Sequence, residues 1–177
     1  MDDKLNQLID RARNLDRNAF GEIYELYVDG IYRYVFYRLF DKKDAEDVTE
    51  EVFIKAMNGI AGYQADKGSF TGWLYGIARN TVIDYFRLVR RETAVVEAAA
   101  ARRTEKAGDE TDAFVVEMIR QALGDLTEEQ REVIVLRFYA GLKISEIAEH
   151  MDKPESAIKA LQRRASLKLA KSLGGEW

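Results

Sequence analysis

The 177 residues include no cysteine, one proline and one histidine. Without cysteine there is no disulfide and no thiolate metal site. A lone His150 supplies no zinc constellation, so neither metal nor other cofactor is expected. No apolar run approaches the roughly 20 residues that cross a bilayer. The opening stretch MDDKLNQLID lacks the apolar core of a secretion signal. The chain is therefore expected in the cytoplasm, without membrane insertion. Alternating strand patterns bounded by Gly and Pro are also missing, and the helical period dominates. No nucleophile, base or metal ligand is arranged around the acidic residues, so no catalytic residue is assigned and enzyme activity is not expected.

What is present is a globular composition, 47% hydrophobic and 33% charged. Its length suits one medium domain or two small helical ones. The net charge of −4 is unevenly spread. Residues 1–62 carry 9 basic and 13 acidic side chains, and residues 63–103 carry 7 and 4. Residues 104–130 carry 2 and 8, and residues 131–177 carry 9 and 6. DNA affinity depends on local positive patches, because each phosphate contact releases counterions. The two basic blocks are thus candidate DNA surfaces, and the acidic blocks are candidates for protein contact or plain solvation.

The reading along the chain is helix after helix. Asp16 is placed to cap a helix starting near Asn18, with Phe20, Ile23, Tyr24 and Tyr27 on one face. A second helix is predicted from about Lys43 to Ile60, with Ala45, Val48, Val52, Phe53 and Ala56 inward. Gly59, Gly62 and Gly68 mark a loop. A third helix is predicted from about Thr71 to Arg91, with Leu74, Ile77, Ala78, Val82 and Tyr85 apolar. The stretch from Glu92 to Asp112 is Ala-rich and charged without a buried face, and reads as a linker. Thr127 and Gln130 form a capping-box pattern before a further helix. The expected fold is all-α, with two small helical domains joined by a flexible linker.

The segment AGLKISEIAEHMDKPESAIKALQRRASLKLAKSL reads as a helix-turn-helix. Gly141 ends one helix, and Ser145 is expected to cap the next. Ala148 permits a close helix crossing, and Pro154 suits the first turn of the last helix. Ile158, Leu161, Ala165 and Leu169 share the inward face. A basic helix alone is more readily a solvated surface. The short preceding helix, the small-residue crossing and the proline-led turn together favour DNA binding. The segment FTGWLYGIARNTVIDYFRLVRR mixes aromatics with arginines, a combination suited to unstacked bases and a single-stranded backbone. Asn80 is placed to read an extruded base edge. The acids Asp44, Glu46 and Asp47 open an amphipathic helix, where they also complement the helix dipole.

These motifs resemble the extracytoplasmic-function sigma factors of bacterial RNA polymerase. DAEDVTEEVFIKAM is similar to the family's DAEDLVQETFLRAW pattern. GSFTGWLYGIARNTVIDYFRLVRR is similar to the promoter-melting segment, W-L-x-x-I-A-x-N-x-x-x-D-x-x-R. The C-terminal segment is similar to the minus-35-reading region, P-x-x-x-V-K-x-x-x-x-R-A. The resemblance covers roughly residues 16–91 and 113–173. It implies a region 2 domain over residues 1–92, a linker over 93–112 and a region 4 domain over 113–177.

The resemblance also implies roles. Asp44, Glu46, Asp47, Glu50 and Phe53 would meet core RNA polymerase at the clamp of its beta-prime subunit. Trp73, Arg79, Asn80, Asp84, Arg87, Arg90 and Arg91 would bind minus-10 DNA. Ser156, Lys159, Ala160, Gln162, Arg163 and Arg164 would bind minus-35 DNA, with the second domain on the flap of the beta subunit. An anti-sigma factor is expected as a further partner. Two departures leave the promoter sequence open. Lys159-Ala160-Leu161 stands where K-S-R is usual, and the loop QADKGSFTG is short of aromatics. A two-domain regulator that is not a polymerase subunit would share the helix-turn-helix. It would need neither the acidic tetrad nor the aromatic basic helix.

Overall fold

The computed structural model describes residues 2–96 and 110–174, with side chains described over 3–91 and 113–174. Eight α-helices make up the described residues. Helix α1 spans Asp2–Arg13, α2 Arg17–Leu39 and α3 Lys42–Gly59. Two short 3-10 turns, Ile60–Gly62 and Ala65–Lys67, lead into α4, Phe70–Val96. Helix α5 spans Glu110–Gly124 and α6 Glu128–Ile134. A π-helical turn, Val135–Tyr139, follows. Helix α7 spans Ile144–His150 and α8 Glu155–Ser172.

The helix starts follow their local chemistry. Asp16 accepts from the backbone N–H groups of Asn18 and Ala19 at the head of α2. These bonds, first that from Ala19, and then the Arg11 side chain hold its carboxyl below the usual carboxylate range. Thr127 and Gln130 form the reciprocal capping box at α6. The expected cap at Ser145 is not found. Helix α7 already begins at Ile144, so Ser145 lies inside its first turn, and the Glu146 carboxylate takes the Lys143 N–H at 2.7 Å instead. Helix α4 runs to Val96 and α5 starts at Glu110, so helix enters both ends of the predicted linker. The middle of that stretch, 97–109, lies outside the described residues. Helix α1 was not anticipated; it packs Leu8, Ile9 and Ala12 against α2. Tyr24, expected on one face with Phe20, Ile23 and Tyr27, is exposed on α2 and packs T-shaped against Phe53.

Helices α1–α4 form one module and α5–α8 another. Burying each of Leu74, Ile147 and Ile158, all fully enclosed, contributes about 1.5–3 kcal/mol. The two modules share one continuous core. Helix α2 packs on the π-helical turn, and α4 packs on α7. Tyr37 and Tyr139 stack across the first contact, their ring centroids 3.6 Å apart. Gly30 keeps the α2–α4 crossing close. A Cβ there would sit 2.6 Å from the Tyr75 hydroxyl and 3.5 Å from the Ala140 carbonyl.

A buried polar cluster joins the modules. The Tyr34 hydroxyl donates to Glu132 at 2.9 Å, and His150 Nε2 lies 3.1 Å from the same carboxylate. Arg38 pairs with Glu128 and places Nη1 3.3 Å from Glu132. That last contact lacks hydrogen-bond alignment, so charge attraction carries it. The side chains of Arg38, Glu132 and His150 are 6%, 4% and 3% exposed. Burial pushes the Glu132 carboxyl up. The His150 hydrogen bond and the Arg38 charge outweigh that and leave it below the usual carboxylate range. Burial, followed by the Glu132 charge, holds Tyr34 well above its ordinary value, so it remains a donor.

Candidate nucleic-acid interface

Three surfaces carry the residues singled out in the sequence. The first is the outer face of α4. With about 100° between successive helical residues, Trp73, Asn80, Asp84, Arg87 and Arg91 fall on one stripe. Arg79, Phe86 and Arg90 form a second stripe about a third of a turn away. Asn80, Arg79, Arg87 and Arg91 are exposed, while Trp73 is half-buried against Tyr63 and Phe70. Asp84 and Arg87 pair at 3.3 Å on the helix surface.

Asn80 opens onto a pocket of about 360 Å³ lined also by Trp73, Ile77, Thr81, Lys55, Gly59 and Gly62. Its floor is organised. Thr81 donates to the Ile77 carbonyl at 2.9 Å, and Lys55 Nζ donates to the Thr81 hydroxyl at 3.3 Å. A Cβ at Gly59 would stand 3.5 Å from the indole. An indole wall and an amide around a cavity this size can hold a single planar base; the Lys55 ammonium beside them also pairs with Glu51 at 2.7 Å, so an incoming anion would have to share it. Lys55 was missed in the sequence. It lies on α3, outside the aromatic basic segment, and only the folding of α3 onto α4 brings it there.

The second surface is the exposed side of α8. Ile158, Leu161 and Ala165 are buried, and Ser156, Lys159, Ala160 and Arg163 point the opposite way. Arg164, also exposed, and half-buried Gln162 flank that row. Lys159 is 3.1 Å from Glu155. The turn before α8 depends on Asp152, held at a left-handed φ of 50°, and on Pro154 at the cap position. Together α7, this turn and α8 form a helix-turn-helix whose second helix is free to enter a major groove.

The third surface is a groove between α2 and α3, about 570 Å³, walled by Tyr24, Phe53, Ile54 and Met57 and rimmed by Asp29, Glu46 and Glu50. Tyr24, Ile54 and Met57 are 39%, 47% and 48% exposed. Phe53 is buried and lines the groove instead of projecting from it, because its ring packs edge-on against Tyr24 at 4.7 Å. Asp44 is half-buried and accepts the Tyr85 hydroxyl, which ties α3 to α4. Glu46, Asp47 and Glu50 are exposed. The Thr49 hydroxyl lies buried beside the groove without a hydrogen-bond partner. Among the described residues, no group of three His, Cys, Asp or Glu side chains is placed to hold a metal ion. No described helix is long and apolar enough to cross a membrane.

An all-helical chain with a helix-turn-helix in one module and an aromatic, arginine-lined helix in the other defines a DNA-binding protein of two modules. Residues 23–92 match sigma-70 region 2, and residues 122–171 match sigma-70 region 4. The chain is 36% identical over 174 residues to the ECF RNA polymerase sigma factor BldN of Streptomyces coelicolor, covering 96% of this chain and 66% of BldN. It is 32% identical over 163 residues to the ECF RNA polymerase sigma factor SigX of Bacillus subtilis, covering 88% of this chain and 84% of SigX. The chain belongs to the ECF RNA polymerase sigma factors. Its fold is also that of CnrH, solved in complex with the cytosolic domain of CnrY, at TM-score 0.77 and 22% identity, covering 98% of this chain and 99% of CnrH. The sigma factor RpoE of Bartonella quintana, solved with the anti-sigma factor NepR, has TM-score 0.68 and 20% identity, covering 89% of this chain and 98% of RpoE.

Proposed function

We propose that the chain docks on core RNA polymerase through the α2–α3 groove, captures an extruded minus-10 base at Asn80, and reads minus-35 duplex with α8. The observation that carries this reading is the pocket at Asn80. An amide, an indole and an ammonium converge there at the head of an arginine-lined stripe. Trp73 and Ile77 would flank the base, and Asn80 would bond its edge. Lys55 and Arg79 would neutralise the backbone beside it, with Arg87, Arg90 and Arg91 following the strand. Asp84 would orient Arg87. On α8, Lys159 and Arg163 would reach the groove floor between Ser156 and Ala160, while Gln162 and Arg164 would hold its edges.

The acidic rim at Glu46, Asp47 and Glu50 suits a basic partner and speeds encounter with it. We assign that partner as the clamp of the beta-prime subunit, with Phe53 and the exposed apolar side chains beneath it and Asp44 steadying the helix. The second module would rest on the flap of the beta subunit. An anti-sigma factor would compete for the same groove, whose unpaired Thr49 hydroxyl awaits a partner group. The protein would act in the cytoplasm by binding alone, without catalysis, each module raising the effective concentration of the other on one promoter.

Reconstitution with core polymerase tests the reading. Run-off transcription that depends on the protein is the expected result. Duplex binding without initiation would instead identify a regulator outside the polymerase.

A further inference from the structure

We propose that Glu155 is a specificity-determining residue. Together with Lys159 it reads one cytosine–guanine pair of the upstream duplex, the carboxylate on cytosine and the ammonium on guanine. The inference rests on the assignment of α8 as the duplex-reading helix.

Glu155 opens α8, one turn before Lys159. Its carboxylate accepts from Lys159 Nζ at 3.1 Å, and the two side chains remain 50% and 64% exposed. Lys153, the cation just before the helix, is engaged elsewhere, 3.0 Å from Glu129. An exposed pair of this kind adds little to stability. An acid at a helix start also complements the helix dipole. The leading residues of the second helix of a helix-turn-helix, however, are those that meet base edges. Glu155 stands at the leading end of the exposed row Ser156, Lys159, Ala160 and Arg163.

A carboxylate entering a groove is repelled by the phosphates on both sides. The base groups that can donate to it there are the amino groups, cytosine N4 and adenine N6. The Lys159 ammonium neutralises the acid on entry and sets a donor beside the acceptor, 3.1 Å away. Within a base pair, an amino nitrogen and the carbonyl oxygen that it bonds lie about 2.9 Å apart, so the two spacings match. The order of groups then decides between base pairs. Across cytosine–guanine the edge runs from the N4 donor to O6 and N7, both acceptors. With the carboxylate on N4, the ammonium meets both acceptors. Across adenine–thymine, a carboxylate on N6 would face the lone pair of N7, and the ammonium on O4 would meet the thymine methyl.

The test is selection by the full chain assembled with core polymerase. Linear duplexes randomised over the upstream and minus-10 stretches are retained by the complex and sequenced. Wild type is expected to enrich cytosine at one upstream column by at least about fivefold over the other bases. Glu155→Gln keeps the shape of the side chain, and its amide can pair bidentately with adenine, so that column should shift toward adenine. Glu155→Ala should level the column. Lys159→Met should level the same column, and the remaining upstream columns should hold their preferences in all three variants. An even change in retention with every column intact would mean that the acid only complements the helix start, and it overturns the proposal. So does a column that responds to Lys159→Met and to neither Glu155 variant. Failure of the parent assignment looks different: wild type enriches no upstream column, Arg163→Ala changes none, and the proposal falls with it.

Discussion

The two helices proposed to face DNA are built to opposite plans. Helix α8 places its cations at the surface of its own module, with a buried face of Ile158, Leu161 and Ala165 behind them and, among the described residues, their side exposed. Helix α4 places its arginines along an open flank, but its root is embedded. Ser69 is capped by Glu149 from the other module, and Gly72 borders the same carboxylate. One surface is complete as soon as its module folds. The other is governed by how the modules meet.

The contrast breaks most severely at Glu132. Glu132→Ala leaves Arg38 and His150 buried without their shared anion, and removing one partner of a buried ion pair costs about 3–5 kcal/mol. Urea unfolding should report that loss. A companion variant, Arg38→Met with Glu132→Leu, should recover only the part due to the uncompensated Arg38 charge, because Tyr34 and His150 still lose their shared acceptor. Acid offers the same test. The folded Glu132 carboxyl sits below its ordinary value, amid Tyr34, Arg38, His150 and the nearby Glu128. Its contribution is therefore complete above the ordinary carboxylate pKa and fades as pH falls through the depressed folded value. Urea unfolding across an acid titration should show stability falling in that range, and Glu132→Gln should already be destabilised at neutral pH.

Substitutions on the two DNA surfaces sharpen the comparison. Arg163→Ala should weaken minus-35 duplex binding by about 1–3 kcal/mol if the guanidinium reads a base. An even loss across all sequences would place it on a phosphate. Asn80→Ala should leave duplex binding intact and impair open-complex formation, read by permanganate reactivity of unpaired thymines. Lys55→Gln should act with Asn80→Ala, since both side chains line one pocket. If Lys55→Gln weakened duplex and strand alike, the cation would be a general phosphate contact. Asp47→Lys should reduce affinity for core polymerase without changing either DNA measurement.

Much of this division was legible in the residues. Periodicity placed α2, α3, α4 and α8, because each buries a stripe within its own module. Asp16, Thr127 and Gln130 announced their caps, because capping is a contact between neighbours in sequence. What stayed hidden lies far apart in the chain. Tyr34 meets Glu132 across 98 positions, and Ser69 meets Glu149 across 80. In the sequence Glu132 is one more acid on an amphipathic helix, and only the fold seals it. Lys55 escaped for the same reason, since the α3 sequence gives no sign that it faces the Asn80 pocket on α4. Ser145 misled in the opposite way. It is a good cap by type, but Glu146 could already satisfy the N–H one residue before α7.

The smallest effect bears on the same comparison from inside the second module. Thr127 caps α6, the helix that carries both Glu128 and Glu132 to Arg38. Thr127→Ala should cost about 1 kcal/mol of stability through loss of the bond to the Gln130 N–H. If α6 serves only its own core, nothing else should change. If α6 also joins the modules, a frayed first turn loosens Glu128, which lies within it, and weakens its pair with Arg38. Thr127→Ala should then cost more with Arg38 intact than in an Arg38→Met background. Thr127→Ser keeps the hydroxyl and should reverse the loss, which separates the cap from the mere loss of a methyl group.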